Sequence, residues 1–293
     1  MLRIIIIFLS ILTKSSSVMA QEQPVTLYND SEAVSLLNST ADESGLLLSK
    51  TLSSIIYSRT HNRTISSQTF MPTDIWVAEG TSVKRLNLGS KSINSAIGFL
   101  NGNESFVYAS VREEDAGYKT QLMIADWQEG NPINIRTFDI KYFTNKSPYF
   151  SASISHDVKH IIMSMEANVT MGVEDLYVSH LQQNDEWSPP MSLGYGINTR
   201  GQEMTPFLAH DNKTLFFASN GREGLGCFDI FYAERLKDTW QIWSDPINLG
   251  SKINTSGAEK SFSFMDATSA VSYTHLRAHE TGRNLVCRLL LEK

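Results

Sequence analysis

The chain has 293 residues, of which 41% are apolar and 19% charged, and a formal net charge of −6. That balance belongs to a globular protein with one large core or two ordinary ones, and it is too apolar for intrinsic disorder. An acidic chain without a stripe of Lys and Arg is poorly suited to gripping phosphates, so no nucleic-acid partner is expected.

At the N-terminus, Arg3 precedes an apolar run from Ile4 to Leu12, and the small residues Val18 and Ala20 stand where a signal peptidase cuts. A helix of that run is too short for ~30 Å of hydrocarbon. Residues 1–20 therefore read as a signal peptide, which implies export to the periplasm or an outer-membrane-associated place. No later stretch is long enough to cross a membrane as a helix once the signal is removed. Residues 21–50 carry no pattern that assigns a structure.

From residue 51 an internal repeat dominates. The strand-like blocks Ile55-Ile56-Tyr57-Ser58, Phe106-Val107-Tyr108-Ala109-Ser110, Ile161-Ile162-Met163-Ser164 and Leu215-Phe216-Phe217-Ala218-Ser219 recur at a period of about 54 residues. A second block follows each: Asp74-Ile75-Trp76, Gln121-Leu122-Met123, Asp175-Leu176-Tyr177 and Asp229-Ile230-Phe231. A third, Trp187-Ser188-Pro189-Pro190-Met191-Ser192-Leu193-Gly194 with Ile197-Asn198, returns as Trp243-Ser244-Asp245-Pro246-Ile247-Asn248-Leu249-Gly250 with Ile253-Asn254. Leu88-Gly89 and Ile93-Asn94 keep it in the first copy. Turns at Asn101-Gly102, His156-Asp157, His210-Asp211 and Met265-Asp266 open the units.

Each unit reads as four short strands, placed in the best copy at 204–209, 214–219, 228–234 and 240–249. Their residues are apolar, aromatic and β-branched, and Gly, Pro, Asn or Asp bound them. Four-stranded units at a fixed period with no helical segment between them predict an all-β fold, a β-propeller of four-stranded blades. A β-sandwich would not need equal spacing.

The blocks over 215–231, the Trp, and Pro246-Ile247-Asn248-Leu249-Gly250 with Ile253-Asn254 together resemble the TolB-type, WD-repeat-like propeller repeat of bacterial envelope proteins. The resemblance is strong over 148–266 and weaker over 51–147. It implies a cell-envelope protein of the kind often fused to an OmpA-like, peptidoglycan-binding domain. About four blades and the first strand of another fit into 51–270, fewer than the six or seven such rings usually hold, so the propeller is expected to be incomplete in this chain. Residues 271–293 lack any repeat partner and closely resemble a translated sequencing-adapter tail. They are expected to be non-native, so Cys287 is not paired with Cys227.

No G-x-S-x-G elbow, H-E-x-x-H helix or P-loop occurs. His156 and His160 fall on a strand-turn-strand, where their spacing does not suit a shared metal. No catalytic residue, cofactor or metal is expected. Trp187, Trp240 and Trp243 read as blade-packing residues. If the protein has a contact surface, it is expected on the loops joining the second and third strands of successive units: Gly221, Arg222, Glu223 and Gly224, within 221–227; Arg112, Glu113, Glu114 and Asp115, within 112–118; and residues 167–172. The expected role is a non-enzymatic interaction module whose partner is a protein or glycan of the cell envelope, with peptidoglycan reached through a further domain. The alternatives are the propeller portion of an exported hydrolase, such as a peptidase or glycosidase, and a TolB-like accessory subunit.

Overall fold

A computed structural model of the chain describes residues 5–8, 43–48, 54–60, 73–79, 82–88, 92–100, 104–115, 117–264, 269–276 and 284–288. The turns expected at Asn101-Gly102 and Met265-Asp266, and most of residues 1–50, lie outside the described residues. Every helix or strand among the described residues is a strand. In chain order these are β1 (Ile5–Phe8), β2 (Glu43–Leu48), β3 (Ser54–Thr60), β4 (Thr73–Glu79), β5 (Ser82–Arg85), β6 (Ile93–Leu100), β7 (Ser105–Glu114), β8 (Gly117–Gln128), β9 (Asn131–Thr137), β10 (Ser151–Ile154), β11 (His160–Met165), β12 (Asp175–His180), β13 (Met191–Ser192), β14 (Glu203–Leu208), β15 (Thr214–Ser219), β16 (Asp229–Glu234), β17 (Ile247–Asn248), β18 (Ala258–Phe264), β19 (Ser269–Leu276) and β20 (Asn284–Arg288).

The strands form antiparallel groups of four: β2–β5, β6–β9, β10–β13 and β14–β17, with a single parallel bridge, Thr73 to Ile93, joining the first two groups. We call these the first to fourth sheets. A fifth combines β18, β19 and β20 with β1. It takes in the two segments that the sequence sets apart as leader and tail. Residues 284–288, whose apolar run would also suit a helix, are strand.

The leading strands follow one another around an axis: β2 lies beside β6, β6 beside β10, β10 beside β14, β14 beside β18, and β18 beside β2. Four of them carry a register shift, at Ser44/Leu47, Ala96/Gly98, Met204/Phe207 and Glu259/Ser261. An extra residue bends a strand and increases its twist, which suits a strand at the crowded axis. Thr205 shows the consequence. Inside its bulge, at φ 46°, its N–H donates to Ser151 Oγ (2.9 Å) and its hydroxyl to the Lys260 carbonyl (2.5 Å), tying three leading strands together.

The apolar cores lie between neighbouring sheets. Ile56, Ile75, Phe106 and Tyr108 fill the first interface, Val107, Leu122, Ile161 and Tyr177 the second, Ile162, Leu176, Leu215 and Phe217 the third, and Phe216, Ile230 and Ile253 the next. The second strands β7, β11 and β15 each serve two interfaces at once. All six residues of β15 are buried, as its nearly unbroken apolar sequence predicts. Each fully buried Phe or Ile contributes about 1.5–3 kcal/mol.

Two expectations are corrected. The outer strand placed at 240–249 shrinks to Ile247–Asn248. Trp240 and Trp243 instead close a turn in which Trp243 Nε1 donates to the Trp240 carbonyl (2.7 Å), and Pro246 has no N–H for a ladder. In the first unit, Leu86 rather than Leu88 takes the repeat position: its N–H donates to the Ile75 carbonyl (2.8 Å), as Leu193 does to Leu176 and Leu249 to Ile230.

Candidate contact face

The loops after the second strands are shaped by carboxylates that the repeat supplies. Asp175 accepts the backbone N–H groups of Met171 (2.8 Å) and Gly172 (3.3 Å). Asp229 accepts those of Leu225 (2.5 Å) and Gly226 (3.0 Å), together with Asn248 Nδ2 (2.7 Å). Each pulls its loop back over its own strand, and both are only 1% exposed. Burial pushes the Asp175 carboxyl above its ordinary range; the two N–H bonds pull it back, and Glu174 beside it pushes it up again.

The repeated Ile-Asn pair has a physical reason. Asn198 Oδ1 accepts Leu176 N–H (2.8 Å), while its Nδ2 donates to the Leu176 carbonyl (3.1 Å) and Ser192 Oγ (3.1 Å). Asn254 treats Ile230 identically, at 2.8 and 3.0 Å, with Nδ2 also reaching Asn248 Oδ1 (2.7 Å). The carboxamide imitates a strand partner where β13 and β17 have ended, so a buried backbone pair stays satisfied.

Two buried glutamates complete the frame. Glu203 accepts from Thr199 N–H (2.9 Å), Thr199 Oγ1 (2.6 Å) and Ser219 Oγ (2.8 Å). Glu259 accepts from Thr255 N–H (3.0 Å) and Thr255 Oγ1 (2.6 Å). Burial pushes the Glu203 carboxyl up. The sequence reading passed over both, although Thr199-Arg200-Gly201-Gln202-Glu203 returns as Thr255-Ser256-Gly257-Ala258-Glu259.

The three loops named from sequence follow one another along one face. Asn145 joins the first two: its Nδ2 donates to Thr120 Oγ1 (2.9 Å) on the β7–β8 hairpin, and its Oδ1 accepts Glu166 N–H (2.9 Å) at the start of the β11–β12 loop. Residues 199–202 join the next two. Val173 N–H donates to the Gly201 carbonyl (3.3 Å), and Gln202 N–H donates to Asn220 Oδ1 (2.7 Å). Gln202 Nε2 reaches Glu174 (2.5 Å), which also accepts from Ser147 Oγ.

Within this face the candidate residues divide. Arg222 turns inward, and its Nη2 donates to the carbonyls of Gly196 (2.8 Å) and Ile197 (3.0 Å); burial lowers its pKa. Gly221 lies against Thr199 and Gly224 against the Asp229 carboxylate, so a Cβ at either would collide. Glu223 is exposed, as are Arg112, Glu113, Glu114 and Asp115. The last four belong to a hairpin whose ladder runs to Glu114 opposite Gly117. Between the charged tips lie exposed apolar side chains: Val169, Met171 and Leu225 within the loops named from sequence, and Tyr149 and Val173, which the sequence reading did not select, with Val169 85% exposed. Among the described residues no three His, Cys, Asp or Glu side chains group to hold a metal.

No family model matches the chain. No curated protein matches it either. Solved structures do. The chain superposes on the GH32 β-fructofuranosidase BmSUC1 of Bombyx mori with a TM-score of 0.54 at 13% identity, covering 82% of this chain and 56% of that one. It superposes on an endo-arabinase of Bacteroides thetaiotaomicron with a TM-score of 0.52 at 12% identity, over 85% and 94%. With a putative TolB of Agrobacterium tumefaciens the TM-score is 0.51 at 12% identity, over 84% and 74%. The chain thus spans little more than half the length of the fructofuranosidase. At such identities the likeness is one of fold: this is a β-propeller protein.

Proposed function

We propose that the chain is a non-enzymatic interaction module exported to the bacterial envelope, and that it meets a protein partner on the face built from the β7–β8, β11–β12 and β15–β16 loops. One observation carries this reading. Asp175, Asp229, Glu203 and Glu259 are buried and committed to backbone and hydroxyl donors, while Val169, Met171, Val173 and Leu225 point outward on adjoining loops. Carboxylates held in this way are not placed for acid–base work on a sugar, and exposed apolar groups rimmed by charge favour protein association. The TolB-type resemblance supports an envelope setting, with peptidoglycan reached through an OmpA-like domain. The test is recovery of a stable complex from envelope extract. Val169→Asp with Leu225→Asp is expected to abolish it at unchanged Tm, and equal recovery by the variant overturns the assignment of the face.

The likeness in fold to a fructofuranosidase and an endo-arabinase motivates a second reading, a glycan hydrolase. Release of reducing sugar from fructan or arabinan by the purified chain would establish it and displace the first. The fifth sheet draws on 5–8, 269–276 and 284–288, so resequencing the source DNA past codon 270 tests its make-up. Further repeat units there would replace β19 and β20, whereas a nucleophile elbow would favour an exported peptidase.

A further inference from the structure

Four histidines meet where the third and fourth sheets adjoin, at the end opposite the contact face. His160 and His180 are cross-strand neighbours on β11 and β12. Their Nδ1 atoms are 2.9 Å apart, so one ring donates and the other accepts. Trp240 of the fourth sheet covers both, its ring centroid 4.8 Å from His160 and 5.5 Å from His180. The Arg235 guanidinium lies 4.5 Å over that indole. Farther out, His156 and His210, on the β10–β11 and β14–β15 turns, stack across the same junction at 4.2 Å and 23°. Sequence showed only that His156 and His210 are repeat-equivalent; the His160–His180–Trp240 group comes from three separate positions.

We propose that this junction is an acid-sensitive joint, closed at neutral pH by the His160–His180 pair under Trp240 and loosened when that pair gains a further proton. The inner pair holds one Nδ1 proton between two ring nitrogens. A second proton there sets N–H against N–H and breaks the bond.

The charges facing the inner pair are Asp157 and Lys159 on the β10–β11 turn and Arg235 after β16. Asp157 favours a proton on His160, while Lys159 and Arg235 oppose it. Asp211 and Lys213 stand on the turn that carries His210. Burial beneath Trp240 is the strongest influence and lowers His160 to about 4. His180 is lowered by burial and then by Arg235. An opened joint therefore binds protons more readily than the closed one. Closure is complete above the ordinary imidazole value of about 6.5 and is lost as pH falls toward the folded value.

Hydrogen exchange on the intact chain at about pH 7.5 and about pH 5, corrected for intrinsic rates, tests this. Opening in peptides over 155–161, 178–182, 208–214 and 235–243 is expected to rise about fivefold relative to 105–111 on acidification. His160→Gln with His180→Gln removes most of that rise. Should that variant fail to fold, the single change His180→Gln serves, and it is expected to reduce the rise. Imidazole NMR of the unmodified chain is expected to show His160 titrating near about 4 and His180 shifted below the ordinary imidazole value. A uniform rise over all sheets, a rise unchanged in the variants, or ordinary titration of His160 and His180 overturns the proposal.

Discussion

The second sheet and the fourth share one architecture and hold it by different means. In the fourth, short strands end early, and polar side chains finish the work: Asn254 on Ile230, Asp229 on its loop, and Glu203 on Ser219. The second keeps a residue at the same repeat position as Asp229, but it is Gln121. Its hairpin strands are much longer, β9 runs from Asn131 to Thr137 where β17 has only Ile247–Asn248, and Phe99, Phe106 and Trp127 pack together with centroids 5.4–5.6 Å apart. The first two sheets also leave Ser54 Oγ, Trp76 Nε1, Asn94 Nδ2, Ser110 Oγ and Trp127 Nε1 buried without hydrogen-bond partners. A blade can thus be closed by polar clamps or by aromatic bulk and ladder length. Where bulk does it, the clamp residues drift from the repeat.

The largest effect that sharpens this contrast lies in the shared core. Phe217→Ala in β15 is expected to cost about 3–5 kcal/mol in urea denaturation, because Phe217 fills the interface with the third sheet. A smaller loss would mean that the sheets are less tightly packed than their burial indicates.

The clamps come next. Asn198→Ala leaves Leu176 N–H and its carbonyl without their side-chain partner and is expected to cost about 3 kcal/mol. Asn94→Ala removes a side chain whose Nδ2 has no partner and is expected to cost about 1 kcal/mol or less. Equal losses at the two positions would erase the distinction between the sheets.

Glu203 gives the comparison a pH dependence. Its folded pKa is raised, so the folded chain holds this proton more firmly than the unfolded one. Its contribution is fully present below the ordinary glutamate value and is lost as pH rises through the folded value. Glu203→Gln is expected to flatten that part of a stability–pH series. An unchanged slope would assign it to another carboxylate.

The smallest effects concern two equivalent turns. Val158 and Asn212 both adopt left-handed backbone, at φ 59° and 55°. That region strains a β-branched residue and suits Asn. Val158→Asn is expected to raise stability by about 1 kcal/mol, read as an increase in Tm.

Much of this was legible in the sequence. The recurrence of the second-strand blocks and of Asp-Ile or Asp-Leu fixed strand order, sheet size and the turns at His156-Asp157 and His210-Asp211, because blades see nearly identical surroundings and repeated surroundings select repeated residues. It also placed the three candidate loops at equivalent positions. Less was legible inside them: whether Arg222 reaches for solvent or braces Gly196 and Ile197, that Val169 and Leu225 face outward, and that Glu203 is sealed beneath Thr199. The shortened outer strand, set by Pro246 and the Trp240–Trp243 turn, was likewise hidden in a segment with the right composition. Repetition along the chain reports the contacts that every blade makes with itself. The His160–His180–Trp240 group and the joined loops arise between blades, from residues with no fixed spacing, and only their packing around a common axis brings them together.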